Sequence, residues 1–382
     1  MTKVAVSQAV LAWAVQRSGV TSRGLRQRFP KLAAWQRGSA QPTLRQLEDL
    51  AKATATPLGF FFLEQPPEDT LPIPHFRTVQ ERSPHRPSPD LLETVHAMER
   101  RQAWMREYLI DQGREALPFV GSARTSDPIV IANHIREVLS LTEDWASEVP
   151  TWSEAFRRLI QATEDSGILA VASGIVANNT HRKLDVDEFR GFVLVDPYAP
   201  LVFINSADAR AAQMFTLAHE LAHVWFGSSA AFDLRQMQPA VEPIEQNSNR
   251  VAAEFLIPGT ALRAFWPRAQ TDAEPFQVIA RRFKVSVLVA ARRALDLALI
   301  NRSRFFEFYE AYLEDERRHR RTQGGGDFYA TQSLRIGRRF ARIVSRAVRE
   351  GTLLYREAYE LTGLYGRTFD RFTAGLDQPG TR

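Results

Sequence analysis

The chain contains no cysteine among its 382 residues. This absence excludes disulfides, thiolate metal ligands and cysteine nucleophiles, and it is consistent with a reducing compartment. The chain also lacks any stretch long and apolar enough to span a membrane. The apolar stretch near the N-terminus is interrupted by Gln8, Gln16 and Arg17, which indicates an amphipathic helix rather than a signal peptide. We therefore expect a cytoplasmic protein without a membrane partner.

Positive charge exceeds negative charge, and the excess lies near the two ends of the chain. The net charge is +5, from 49 Lys and Arg against 44 Asp and Glu. Residues 1–65 contain nine basic and three acidic side chains, and arginines recur from Arg317 to Arg349. Basic ends predict an anionic partner, either nucleic acid or an acidic protein. The length predicts two or three domains.

The stretch Phe215–Gly227, FTLAHELAHVWFG, carries the strongest chemical signal. Its core, HELAH, places His219 and His223 one helical turn apart, where both imidazoles can bind one metal ion. Glu220 follows the first histidine and can act as a general base on an attacking water. The alternative is a pair of ordinary helix histidines around a salt-bridging glutamate. The apolar flanks favour the metal site, because an empty one would bury polar groups without partners.

This metal site requires a helix, and the flanking residues predict one. Ser206 is expected to cap its N-terminus, Asp208 suits the positive end, and Gly227 is expected to terminate it.

A third ligand is expected downstream, because a hydrolytic zinc usually has three protein ligands and a structural zinc four. A helix beginning at Pro243 offers Glu245 and Glu254. These lie nine residues apart, on opposite helix faces, so only one can face the metal. We expect Glu245, because Asn249 one turn later can hold its carboxylate.

The two motifs resemble those of the ImmA/IrrE-type metallopeptidases. That family shows FTLAHELGH and then ExxANxFAaeLLxP, and this chain has FTLAHELAH and EQNSNRVAAEFLIP. Ser248 replaces the usual Ala, and Val251 the usual Phe. The resemblance implies a zinc endopeptidase of the gluzincin kind. It implies one Zn²⁺ per chain with His219, His223 and Glu245 as ligands, and Glu220 as the base.

Short β-rich runs precede the metal-site helix, namely GILAVAS, FRGFVLVD and PLVFINS between residues 167 and 206. They predict a small sheet beside that helix. His181 lies in a polar loop between them, and we interpret it as a surface residue rather than an oxyanion-stabilising one. Tyr198 is a similarly weak candidate.

Apolar spacing in the first 65 residues predicts helices near residues 7–17, 22–28, 31–37, 44–53 and 57–63. Thr43 and Gln46 predict a capping box. The stretch WQRGSAQPT from Trp35 resembles the end of a recognition helix in repressor-type (XRE-type) helix-turn-helix domains. The candidate base contacts are Lys31, Gln36 and Arg37, and the candidate phosphate contacts are Arg23, Arg26 and Arg28. A basic helical module that docks protein is the alternative.

We expect an α+β fold that is mainly helical. A helix-turn-helix-like domain over residues 1–65 is followed by a proline-rich linker over 66–89. A zincin-like, gluzincin peptidase domain with a small sheet covers 90–300. It includes a second helix-turn-helix-like segment over 274–300, where Arg292 and Arg293 could contact nucleic acid. A helical C-terminal domain over 301–382 is expected to hold two or three amphipathic helices after residue 327.

These features predict a zinc-dependent regulatory endopeptidase that cleaves a specific protein, such as a transcriptional repressor, and is coupled to DNA binding. Two alternatives stay open. The resemblance implies that such a chain can be the antitoxin that neutralises a PIN-type ribonuclease toxin. The chain could also be a metal-sensing, DNA-binding transcription regulator. A homodimer is compatible with each of the three functions.

Overall fold

The computed structural model describes residues 3–67, 87–232, 243–318 and 328–376. Its contacts divide the chain into two compact units, Met1–Pro72 with Gln80–Ala97, and Ile73–Val79 with Met98–Arg382. Most of the predicted linker, with His75 and His85, lies outside the described residues, as do Arg320 and Arg321. The predicted domain boundaries at residues 65, 89 and 300 stay a prediction.

The first unit consists of short helices around one apolar core. Its elements are α1 (Gln8–Arg17), α2 (Ser22–Arg28), α3 (Leu32–Gln36), α4 (Leu44–Ala53) and a 3₁₀ helix (Leu58–Phe62). Leu11, Leu47 and Phe61 are among the buried residues that form this core. The predicted capping box is present, since Gln46 N–H donates to Thr43 Oγ1 and Thr43 N–H donates to Gln46 Oε1. The five predicted helical segments are therefore confirmed.

The chain continues through helix α5 (Pro89–Asp111), which contributes to both units. The other helices of the second unit are α6 (Pro128–Val138), α7 (Trp152–Asp165), α8 (Arg210–Phe226), α9 (Pro243–Leu256), α10 (Gly259–Ala269), α11 (Pro275–Phe283), α12 (Val287–Asp296), α13 (Arg302–Arg318), α14 (Phe328–Ile336), α15 (Arg338–Arg349), α16 (Tyr355–Thr362) and α17 (Arg367–Leu376). Four of these helices, α14 to α17, lie after residue 327, where two or three helices were predicted. None of the described helices has the length and apolarity needed to cross a membrane.

A four-stranded sheet lies within this second unit. Its strands are β1 (Leu169–Ser173), β2 (Gly191–Leu194), β3 (Leu201–Asn205) and β4 (Ala230–Phe232), in the order β1-β3-β2-β4. The pair β1–β3 is parallel, and β2 runs antiparallel to both β3 and β4. The first three strands confirm the prediction. The architecture is thus mainly helical with one small sheet, as expected of an α+β fold.

Both faces of this sheet are covered, which explains why β1, β2 and β3 are buried at every position. On one face, Val193 joins the apolar core that includes α8. On the other face, Phe192 stacks on Phe203 with ring centroids 4.9 Å apart. Phe340 of α15 lies near Leu201 on that second face. The β-rich runs are therefore continuous hydrophobic segments rather than alternating ones.

One buried carboxylate joins α7 to the start of α15. Glu164 is 2% exposed, and its Oε1 accepts a hydrogen bond from Arg339 N–H at 3.0 Å. Burial raises the pKa of Glu164 to about 7, although the Arg339 bond and the Arg338 charge oppose this rise. Gly337, with φ of 84°, immediately precedes α15 and lies beside this carboxylate. A Cβ at position 337 would lie 3.2 Å from Glu164 Oε1.

This raised pKa predicts a pH-dependent stability. Because the folded pKa of Glu164 lies above its unfolded value, its contribution is complete below pH 4.5 and is lost as the pH rises through about 7. The free energy of unfolding should fall by about 3 kcal/mol over this range. Urea denaturation across this range should show a weaker pH dependence for Glu164→Gln than for the parent. Glu115→Gln, at an exposed carboxylate that does not act on Glu164, should behave as the parent, and equal slopes in all three proteins would contradict the prediction.

Candidate metal centre

Helix α8 ends as predicted but begins later than predicted. Gly227 terminates it in the left-handed conformation, with φ of 72°. The helix begins at Arg210, so the predicted N-cap at Ser206 is wrong. The amide of Ser206 donates to Ser173 O of β1 instead and extends the strand pairing. Asp208 forms an ion pair with Arg190 at 2.5 Å, and its Oδ1 accepts a hydrogen bond from the amide of Ala209, the residue before the helix.

The packing of α8 against α9 brings together the three predicted metal ligands. Glu245 Oε2 lies 3.1 Å from His219 Nε2, and Glu245 Oε1 lies 3.1 Å from His223 Nε2. The two Nε2 atoms are 3.0 Å apart. All three side chains are buried.

These distances fit a single bound ion. Nitrogen ligands about 2.0–2.1 Å from a tetrahedral zinc lie about 3.3 Å from each other. The two Nε2 atoms, and each Nε2 with its nearer oxygen of the Glu245 carboxylate, lie close to that separation. Among the residues that the structure describes, these three are the ones that group as possible metal ligands.

The protonation states also suit a metal. Burial lowers the pKa of His219 to about 4, which keeps its imidazole neutral. Burial alone would raise the pKa of Glu245, but its contacts with His219 and His223 outweigh burial and lower that pKa to about 2. Metal ligands must be a neutral imidazole and an ionised carboxylate, and this group supplies both.

Asn249 supports the site differently from the prediction. The sequence predicts that it holds the carboxylate of Glu245, but its Oδ1 lies 3.1 Å from His219 Nδ1 on the facing helix. A side chain one turn further along α9 reaches across to α8 more readily than back along its own helix. When His219 Nδ1–H donates to Asn249, its Nε2 lone pair faces His223 and Glu245.

Glu254, the other candidate ligand, faces away from the histidines. It forms a buried ion pair with Arg293 Nη2, and its Oε1 accepts a hydrogen bond from Gly259 N–H at 3.1 Å. Arg293 Nε also donates to Ile257 O at 3.1 Å. The predicted nucleic-acid contact of Arg293 is therefore wrong, because its guanidinium is buried in this pair. Arg292 is more exposed and pairs with Asp296.

Glu220 is fully buried beside the three ligands. In the described part of the chain, neither of its carboxylate oxygens has a hydrogen-bond partner. Burial, and then the charge of Glu245, raise the pKa of Glu220 well above its ordinary value. A carboxylate in this setting has a high proton affinity and two oxygens left for a ligand or water.

Gly191 of β2 contributes to the site and was not predicted to do so. A Cβ at this position would lie 2.6 Å from Thr216 Cγ2 and 3.3 Å from Glu220 Oε1. Glycine thus lets the strand approach α8 where Glu220 lies. A glycine inside the strand pattern FRGFVLVD was the available signal, because such a residue often marks a close backbone approach.

The remaining candidates lie elsewhere. His181 is exposed on its loop and Tyr198 is half-buried, and neither belongs to the metal-ligand group. The proposed DNA contacts are on the first unit. Gln36 is half-buried there, and the exposed ones are Arg23, Arg26, Arg28, Lys31 and Arg37.

Comparison with known families supports the predicted resemblance for the part of the chain that holds the metal centre. Residues 163–295 match the family model of peptidase M78, the IrrE N-terminal-like domain. Residues 336–374 match a second model, described as a domain of unknown function (DUF8813). Neither the curated proteins nor the solved structures yield a match. The helix-turn-helix assignment of the first unit stays a prediction.

We predict that Asn249→Ala weakens zinc binding by about 10- to 100-fold, because His219 loses the group that orients its ring. Asn247→Ala, two residues away on α9 with no hydrogen bond to the ligands, is the matched control. Competition with a fluorescent zinc chelator would measure both affinities. Equal affinities in the two variants would contradict the role of Asn249.

We also predict that Arg293→Ala lowers the free energy of unfolding by about 3–5 kcal/mol, because it leaves the carboxylate of Glu254 buried and unpaired. Arg292→Ala removes a partly exposed surface pair and should change the same quantity by less than about 1 kcal/mol. Urea denaturation of the two variants would test this difference, and similar losses in both would contradict it.

Proposed function

We propose that this protein is a zinc-dependent endopeptidase. The observation that carries the proposal is the position of Glu220, whose buried carboxylate lies without a hydrogen-bond partner among the described residues, beside three converging metal donors. His219, His223 and Glu245 would hold the ion. The peptidase M78 match over residues 163–295 supports a peptidase.

The number of donors favours a hydrolytic site over a structural one. Structural zinc sites are closed by four protein ligands, and catalytic sites use three. The described residues supply three to this group. A tetrahedral ion held by them keeps one position for water or a substrate carbonyl.

The chemistry then follows from the neighbouring groups. A bound zinc ion would polarise the scissile carbonyl and favour ionisation of the attacking water. Glu220 is placed to accept the water proton and to deliver it to the leaving amine. Asn249 keeps the ring of His219 in the required orientation.

We further propose that the first unit directs the enzyme to its target, such as a DNA-bound transcriptional repressor, in the cytoplasm. Helix α3 has five residues, and Gln36 is its only polar one. Base readout by α3 is therefore limited, and contacts from the exposed arginines to phosphates would dominate. We retain the division at residues 1–65, 66–89, 90–300 and 301–382 as part of this proposal.

We predict that Glu220→Gln retains one zinc per chain but loses peptidase activity, whereas His223→Ala loses both. The first change removes the proton acceptor and keeps the ligands, and the second removes a ligand. Metal analysis would measure zinc. Mass spectrometry of new protein N-termini, after incubation of each protein with lysate of the source cells, would measure cleavage of any substrate in the lysate, whatever its identity.

New N-termini that appear equally with the parent and with Glu220→Gln would overturn the assignment of the base. Zinc bound by the parent without any Glu220-dependent cleavage would favour the antitoxin or the metal sensor. Binding to its own promoter region would then distinguish the sensor from a simple toxin inhibitor.

A further inference from the structure

Helix α15 presents a row of arginines on one side and an apolar face on the other. Arg338, Arg342, Arg346 and Arg349 follow one another at intervals of three or four residues. At about 100° per residue they fall within an arc of about 80°. The opposite face is buried, with Phe340, Val344 and Ala347. We call the four basic residues the arginine row.

The central part of the arginine row is not neutralised. Arg342 and Arg346 are exposed, and neither forms an ion pair with a carboxylate in the described part of the chain. Other surface arginines of this unit do pair, such as Arg292 with Asp296 and Arg356 with Glu360. Like charges one turn apart repel each other and destabilise a helix. An anionic ligand would relieve this repulsion.

Exposed aromatic rings lie at the start of α16 and between α16 and α17, two helices that pack against α15. Tyr355 of α16 is 55% exposed, and Tyr365, between α16 and α17, is 64% exposed. Tyr359 joins them, with ring centroids 6.0 Å from Tyr355 and 5.6 Å from Tyr365. Rings that keep a large exposed surface are suited to stacking on nucleobases.

We propose that the arginine row and these tyrosines form a binding surface for single-stranded nucleic acid. The row extends about 16 Å along the helix axis, so it matches a linear polyanion. Arginine alone is a weak signal in this chain, which has 44 arginines and 5 lysines. The alignment of the arginine row, within which Arg342 and Arg346 form no ion pair with a described carboxylate, and the exposed rings of the neighbouring helical segment carry the inference. An acidic protein would use the arginines but would leave the stacking surfaces unexplained.

The test is the affinity of the full chain for a fluorescently labelled oligo(dT) or oligo(U) of about 20 nucleotides, measured by anisotropy at several salt concentrations. We expect R342E/R346E to weaken binding by about tenfold or more. A plot of the logarithm of its binding constant against the logarithm of salt concentration should be shallower by about 1.4 in slope, because each lost phosphate contact removes about 0.7. Y355A/Y365A should weaken binding by a similar factor at an unchanged salt slope, because stacking releases no counterions.

The matched control is R263E/R268E, which makes the same change of charge at exposed positions of α10. It should bind nearly as tightly as the parent. Equal losses in this control and in R342E/R346E would overturn the proposal. So would displacement of the oligonucleotide by poly-L-glutamate at equal charge concentration, which would indicate an acidic protein partner. A loss of oligonucleotide affinity in R23E/R26E alone would assign the binding to the first unit and would also overturn the proposal. R342Q/R346Q replaces the reversal variant if circular dichroism shows that the latter is unfolded.

Discussion

The metal centre depends on one packing contact, the approach of α9 to α8 that places the carboxylate of Glu245 between two imidazoles. Two buried arginines hold the far end of α9 in position. Arg136 of α6 donates to Glu254 O and Phe255 O, each at 3.0 Å, and Arg293 of α12 donates to Ile257 O. These bonds satisfy carbonyls that a helix end would otherwise leave unpaired. The position of Glu245 therefore depends in part on residues of α6 and α12, outside the helices that hold the metal ligands.

The sheet connects this centre to the last helices of the chain. One of its faces packs on α8, and the other lies against α15 within the segment that matches a domain of unknown function. Arg101 of α5 is half-buried there and donates to Leu361 O at 2.8 Å and to Arg335 O at 3.0 Å. Asn178 donates to Gly363 O at 2.7 Å. The C-terminal helices are thus packed onto the peptidase-like core, and the proposed nucleic-acid surface belongs to the same body as the metal centre.

Local patterns were sufficient for most elements and for the ligand set. The capping box of Thr43 and Gln46 marked the start of α4, because an N-cap side chain bonds to an amide only two or three residues away. Helix periodicity limited the third ligand to Glu245 or Glu254, and Glu245 was preferred for a contact with Asn249 that the structure does not show. The structure nevertheless places Glu245 with the histidines. Strand β4 was missed, since three residues after a helix carry too little periodicity to recognise.

The sequence by itself determined the helix periods and the HExxH pair, because these rest on spacings within one or two turns of a single helix. It narrowed the third ligand to two glutamates on a second helix. Only the tertiary structure decided what each buried polar group contacts. It assigned Asn249 to His219 rather than to Glu245, Arg293 to Glu254 rather than to nucleic acid, and Gly191 to the space beside Glu220. Those contacts join residues about 30 or more positions apart. Their partners depend on how helices and strands pack, which no local spacing specifies.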